Sequence, residues 1–303
     1  MLEPFLTRFE EKRPMFYKEV ARTHAEQTDL FEELAIPMLG WAHASVGEGW
    51  EDALIDGYCA FVMDVNRSQM KYEKRGHYEY SSYAEVFEKT YNSSDFMNLY
   101  HWGVYTTTFS WGHHLRIYDF FKRYFLDVIP SSEPGRLIDL GCGSGIWHLL
   151  ALRQLPGWST TAVDISETTI EIARTMWEKM PEGQPEVDHL VGDALEHRLD
   201  EPADAGISSF LLEHLETPDK LLENLCANLK PGAYAFVSCA LTAAETDHIY
   251  EYTKESEPIA MAEEAGFRVV SVFSSAPAMA NPEARFLPRS MAMALQKKKG
   301  EIW

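Results

Sequence analysis

The residues able to do chemistry in this chain are a spaced set of acids, glycines and histidines. Asp139 is followed at alternate positions by Gly141, Gly143 and Gly145, in the stretch LIDLGCGSG. Glycine at every second position lets the backbone take positive φ and approach a ligand with no Cβ in the way. The free N–H groups of the helix that follows point into the same space. Such a loop is shaped to receive a polar cofactor. Asp164 and Asp193 each stand just past a short apolar run. A carboxylate at the tip of a second strand can accept hydrogen bonds from both hydroxyls of a ribose, which an amide cannot do. Two pairs remain, His113-His114 and Glu213-His214. Neutral imidazole takes up a proton near pH 7, so either pair offers a general base; helix-entry histidines that bond backbone are the plainer alternative. Successive helical residues point about 100° apart, so His113 and His114 do not easily grip one metal ion unaided.

These residues need elements to hold them. Residues 136–140 read as a strand that ends in the glycine turn, and 146–155 as a helix. A strand over 159–163 then delivers Asp164, and Ser166 caps the next helix. Residues 187–191 lead to Gly192-Asp193-Ala194. A buried strand over 204–212 precedes Glu213, and Thr217-Pro218-Asp219 opens a helix with a threonine N-cap, ended by Lys230-Pro231-Gly232. Strands over 233–238, 268–273 and 290–295 follow, with a helix that ends at Ala265-Gly266-Phe267. The alternation predicts an α/β fold with a Rossmann-like, doubly wound, mostly parallel sheet. A dinucleotide fingerprint requires G-x-G-x-x-G, whereas Ile146 occupies the sixth position here, which argues against a nicotinamide-dependent oxidoreductase.

The region before the first strand differs. Apolar spacing of three and four predicts helices over 29–39, 51–65, 81–91 and 115–128, giving an N-terminal all-helical cap over 1–128 and a cofactor-binding part over 129–303. Of the 38 aromatic residues, 26 fall in the first 130 positions, densest over 100–111 (YHWGVYTTTFSW). Aromatic faces pack helices together, and they also attract sulfonium and other cations. Residues 100–111 are therefore expected to line a site, and His248, Tyr250 and Tyr252 are further candidates for substrate contact.

The balance of 27 basic to 47 acidic residues leaves a formal charge of −20. That charge repels phosphate backbones and anionic bilayers, so neither nucleic acid nor membrane is an expected partner. The four cysteines form no C-x-x-C pair, and no signal-like or spanning apolar stretch occurs. A reducing cytoplasm is the expected setting. The sequence leaves the oligomeric state open.

With the acid two places before its first glycine, LIDLGCGSG resembles motif I of the class I S-adenosylmethionine-dependent methyltransferases of small-molecule type. The stretch LEHLETPDKLLENLCANLKPGAYAFVS is similar to the later half of the same enzymes, so the resemblance runs from about Gly135 to the C-terminus. It implies a Rossmann-like fold, S-adenosyl-L-methionine as cofactor and methyl transfer to a small acceptor. Transfer or cyclisation of the aminopropyl chain is the alternative use of that cofactor. The implied cofactor-binding residues are Asp139, Gly141, Cys142, Gly143, Asp164, Ile165, Asp193, Ala194 and Phe210. In this family Asp193 would accept from the adenine amine and the Ala194 N–H would meet a ring nitrogen. Residues 100–111 also resemble the aromatic-glycine segment of sterol-type methyltransferases that lies over the methionine end of the cofactor, which adds Tyr105 and Trp111. His214, His113 and Glu213 are the implied catalytic candidates. In quinone-type O-methyltransferases the equivalent Glu and His bind a divalent metal with a carboxylate three residues earlier. Phe210 stands at that place here, so no metal is expected.

Overall fold

The computed structural model describes residues 1–86, 94–130, 133–180 and 183–299, including the backbone of residues 94–98. The helices before the first strand are α1 (Leu2–Lys12), α2 (Pro14–Glu26), α3 (Thr28–Val46), α4 (Trp50–Arg75), the single turn α5 (Tyr83–Val86), α6 (Ser94–Ser110) and α7 (Gly112–Tyr124). Of the helix expected over 81–91, α5 is the described part; Phe87 and Tyr91 lie outside the described residues. No helix among the described residues is long and apolar enough to cross a membrane.

The remainder alternates: β1 (Arg136–Leu140), α8 (Ile146–Gln154), β2 (Ser159–Asp164), α9 (Glu167–Glu178), β3 (Glu186–Val191), β4 (Ala203–Ser209), α10 (Pro218–Ala227), β5 (Leu229–Leu241), α11 (Ser256–Glu264), β6 (Phe267–Ser275) and β7 (Arg289–Lys297). The seven strands form one sheet in the order β3-β2-β1-β4-β5-β7-β6. The first five are parallel, and β7 runs antiparallel between β5 and β6. Chain order reverses between β1 and β4, and in open parallel sheets the crevice beyond the strand ends at such a point is where ligands bind.

Side chains alternate across the sheet and feed two apolar clusters. Leu137 and Phe236 point to the face that also buries Phe5, Trp41, Phe109 and Phe121 from the N-terminal helices. Ile138, Val237 and Met293 point to the other face, against Leu221 and Leu225 of α10. Phe121 meets Phe236 edge-on at 4.8 Å and Trp147 at 5.1 Å, which seats α7 directly on the sheet. Helices α4 and α6 touch backbone to backbone. A Cβ on Gly57 would lie 2.9 Å from the Gly103 nitrogen, and one on Gly103 would lie 2.5 Å from the Phe61 Cβ.

Two local expectations are corrected. Thr217 occupies the N-cap position of α10, but its side chain makes no capping bond. Strand β5 starts four residues earlier than expected, because Pro231 and Gly232 are accommodated in an irregularity: Ala203 pairs with Leu229, but Ala205 pairs with Tyr234. A bulge is where a sheet tolerates proline, which has no N–H to donate.

Candidate active site

The glycine loop is tied to the tip of β2. The N–H groups of Gly141 and Cys142 both donate to the Val163 carbonyl, at 2.8 and 3.0 Å. The Gly143 N–H donates to Asp164 Oδ2 at 2.9 Å, and the Ser166 N–H to Oδ1 at 3.0 Å. Gly141 and Gly143 have φ of 73° and 53°. A Cβ on Gly141 would meet Leu211 Cδ2 at 2.4 Å, so glycine is required there on two counts. A Cβ on Gly143 would meet nothing within 4 Å, which marks the open side of the loop. Burial pushes the Asp164 carboxyl up, and the two N–H donors work against that. Its two oxygens have about four lone-pair positions, so two remain for a ligand.

This loop opens into a cavity of about 1340 Å³ that spreads over the ends of β1 to β5. A drug-sized ligand takes roughly 300–1,000 Å³, so there is room for a cofactor and a second molecule. Gly141, Cys142, Gly143, Asp164, Ile165, Asp193, Ala194, Phe210 and Trp111 all line it, as do His113, Glu213 and His214. Asp193 lies at the surface with Oδ1 accepting from the Leu195 N–H at 2.8 Å. Ile165, half exposed, forms part of the rim.

Four expected contacts are corrected. Asp139 is buried and does not line the cavity; its Oδ2 lies 2.8 Å from His148 Nδ1, so it braces the glycine loop against α8 from behind. Tyr105 is fully buried and donates to the Met38 carbonyl at 2.7 Å, because its side of α6 faces α3. Tyr252 is likewise enclosed in the cluster on the far face of the sheet, with its hydroxyl on Met261 Sδ, and Tyr250 packs beside it. Of that trio His248 alone reaches the cavity.

The other half of the cavity is built from side chains far apart in sequence. Phe210 has φ of 52°, unusual for a bulky residue, and its N–H donates to the Ser238 carbonyl at 2.9 Å. This backbone turn holds its ring 5.2 Å from His114. Trp111 stacks on His113 at 5.3 Å. Burial holds His113 well below the usual imidazole range and His114 down to about 4, so both are neutral at pH 7. Glu213 is buried; Oε1 accepts from the Ala240 N–H at 3.1 Å, and burial pushes its carboxyl up to about 7. His214 lies 3.1 Å from the Asp247 carbonyl through Nδ1. A carbonyl only accepts, so Nδ1 carries the proton and Nε2 keeps its lone pair.

Sequence reasoning missed Tyr58 and Phe61 on the helical wall, and Glu245 and Asp247 beyond β5, all of which line the cavity, as does Tyr100 from the expected run. The Tyr100 hydroxyl donates to Asp247 Oδ2 at 2.8 Å. Two acids and a histidine within four residues, Glu245-Thr246-Asp247-His248, were the available signal. The described residues bring ligand atoms of Glu213, His214 and His248, and again of Glu245, Asp247 and His248, within 4.8 Å of one another.

Residues 111–276, more than half of the chain, match the family model described as a methyltransferase domain. With this sheet order and glycine loop, the chain belongs to the class I S-adenosylmethionine-dependent methyltransferase family. Among curated relatives, ubiquinone biosynthesis O-methyltransferase of Xylella fastidiosa (strain 9a5c) is 34% identical over 119 residues, 37% of this chain and 46% of that protein. Ribosomal RNA large subunit methyltransferase G of Pseudoalteromonas translucida is 32% identical over 90 residues, 28% of this chain and 23% of that protein. The chain thus spans less than half the length of these relatives. Haemonchus contortus phosphoethanolamine N-methyltransferase 2, solved with phosphomonomethylethanolamine and S-adenosylhomocysteine, shares the fold. Its TM-score is 0.55 at 17% identity, over 72% of this chain and 60% of that one.

Proposed function

We propose that this chain transfers a methyl group from S-adenosyl-L-methionine to a small-molecule acceptor held in the cavity, and that residues 1–128 supply much of the acceptor wall while 129–303 hold the cofactor. The observation that carries this reading is that the glycine loop, Asp164 and Asp193 open into the same cavity as the aromatic and histidine wall. The cofactor, when bound, supplies an electrophilic methyl carbon on a sulfonium. The open side of Gly143 is the cradle it needs. The free lone pairs of Asp164 suit the ribose diol, and Asp193 with the Ala194 N–H suits adenine. Trp111 and Phe210 border the reacting end, exclude water and hold the acceptor in line with the carbon–sulfur bond. Where the acceptor must lose a proton, the Nε2 lone pair of His214 is the group placed to take it, since burial makes His113 a weak base.

A small acceptor is favoured over RNA, despite the ribosomal RNA relative, because the net charge of −20 opposes a phosphate backbone. The test is to incubate the protein and labelled S-adenosylmethionine with an extract of the source cells, separated into metabolites and RNA. The reading predicts S-adenosylhomocysteine together with a metabolite that has gained one methyl unit. Label in RNA alone overturns the acceptor class, and methylthioadenosine as the product points to the aminopropyl chain instead.

A further inference from the structure

Beyond β5 the chain folds back over the cavity and brings Glu245, Asp247 and His248 together there. His248 Nδ1 lies 2.7 Å from the Ala243 carbonyl, so it carries the proton and donates. Its Nε2 then faces Glu245 Oε2 at 3.6 Å. Asp247 joins the same group, its Oδ2 fixed by the Tyr100 hydroxyl at 2.8 Å. Independently, Glu213 Oε2 is buried without a hydrogen-bond partner, and a carboxylate oxygen of Glu213 lies within 4.8 Å of a His248 ring nitrogen.

A metal-binding imidazole almost always donates its other N–H to a carbonyl or carboxylate, which fixes the tautomer, and His248 has that arrangement already. We propose that Glu245, Asp247 and His248, with Glu213 beside them, bind one divalent cation of the manganese or zinc type at the acceptor side of the cavity. Carboxylates favour manganese and imidazole favours zinc or iron, so a mixed set selects among these over magnesium or calcium. The site departs from the expectation of no metal, which rested on Phe210 beside the Glu213-His214 turn and on the scatter of the histidines. Three of its ligands come instead from the segment after β5. The role of the ion rests on the proposed methyl transfer: facing the cavity, it would hold and acidify an acceptor that bears oxygen. Its binding does not rest on that reading.

The test therefore uses the full chain without cofactor. After dialysis against a chelator, Mn2+ binding is followed by the paramagnetic signal of the free ion and Zn2+ binding by calorimetry. One saturable site per chain is expected, with a higher melting temperature in the presence of the ion. His248→Ala and Glu245→Gln should each weaken binding at least about tenfold. Glu245→Gln keeps the size of the side chain, and its melt without metal should match the wild type. No saturable binding of either ion, or unchanged affinity in a folded Glu245→Gln variant, overturns the site.

Discussion

The two halves of the cavity are made of different material. Over β1 to β3 the lining is organised by backbone: Gly141 and Gly143, N–H groups anchored on Val163 and Asp164, and two acids at strand ends. Over β4 and β5 it is side chain, drawn from α2, α4, α6, the start of α7 and the segment after β5. A backbone-built site depends on local sequence spacing and tolerates little change. A side-chain site depends on packing and can vary one residue at a time.

Variants can break or sharpen that contrast. The largest effect should come from Gly141→Val, which places a branched side chain at φ of 73° against Leu211. S-adenosylmethionine affinity by calorimetry should fall more than about a hundredfold, since the strain and the clash each cost on the order of 1–3 kcal/mol. A wild-type constant in a folded Gly141→Val protein would end the idea that backbone approach is required.

On the other side, Trp111→Ala should lower single-turnover rate by up to roughly a hundredfold through misplacement of the acceptor. Its effect on cofactor affinity should stay near the 0.5–2 kcal/mol range of an aromatic–cation contact. If affinity falls as far as rate, the two halves are not separable.

Acid should unsettle the side-chain half through its buried histidines. His101 has Nε2 unpartnered, and burial holds the ring down to about 4, against about 6.5 when unfolded. A lowered imidazole gives stability that is complete above pH 6.5 and is lost as pH falls toward 4, at about 1.4 kcal/mol per pH unit. Denaturant melts across that window should show a shallower slope for His101→Phe. An identical slope would mean His101 is solvated.

Asp164→Ala should weaken cofactor binding at least about tenfold, because charge-assisted bonds are worth about 1.5–3 kcal/mol each and the Gly143 N–H loses its partner as well. The smallest effect belongs to Tyr105→Phe, which removes one buried bond to Met38. It should cost about 1 kcal/mol in a chemical melt and leave turnover unchanged. Slower chemistry in that variant would return Tyr105 to the site.

The same contrast explains what could be read from the sequence. Gly141, Asp164 and Asp193 each stand at the end of a strand or within two residues of it, so their place in the fold follows from order alone. Tyr105 and Trp111 sit in one aromatic run, and density does not say which side of a helix meets the cavity. In the structure Tyr100, Val104, Thr107 and Thr108 face it at helical spacing, while Tyr105 and Phe109 face the core. The parting of His248 from Tyr250 and Tyr252 was also invisible. It depends on where the segment after β5 crosses the sheet edge, with the Ile249 and Tyr250 N–H groups both on the Glu213 carbonyl. The positive φ of Phe210 and Thr242 had no marker, since neither is glycine or asparagine.

The contact of α4 with α6 through Gly57 and Gly103 bears on how the acceptor range of this scaffold could be redesigned. With no side chain between the two backbones, the pair forms a fixed plate, and Phe61, Tyr100 and Val104 stand on it as exchangeable fittings. Exchanging one of these reshapes one patch of the chamber. Adding a Cβ at either glycine would pry the plate apart and move every fitting together, so a library aimed at new acceptors should vary the former and hold the latter constant.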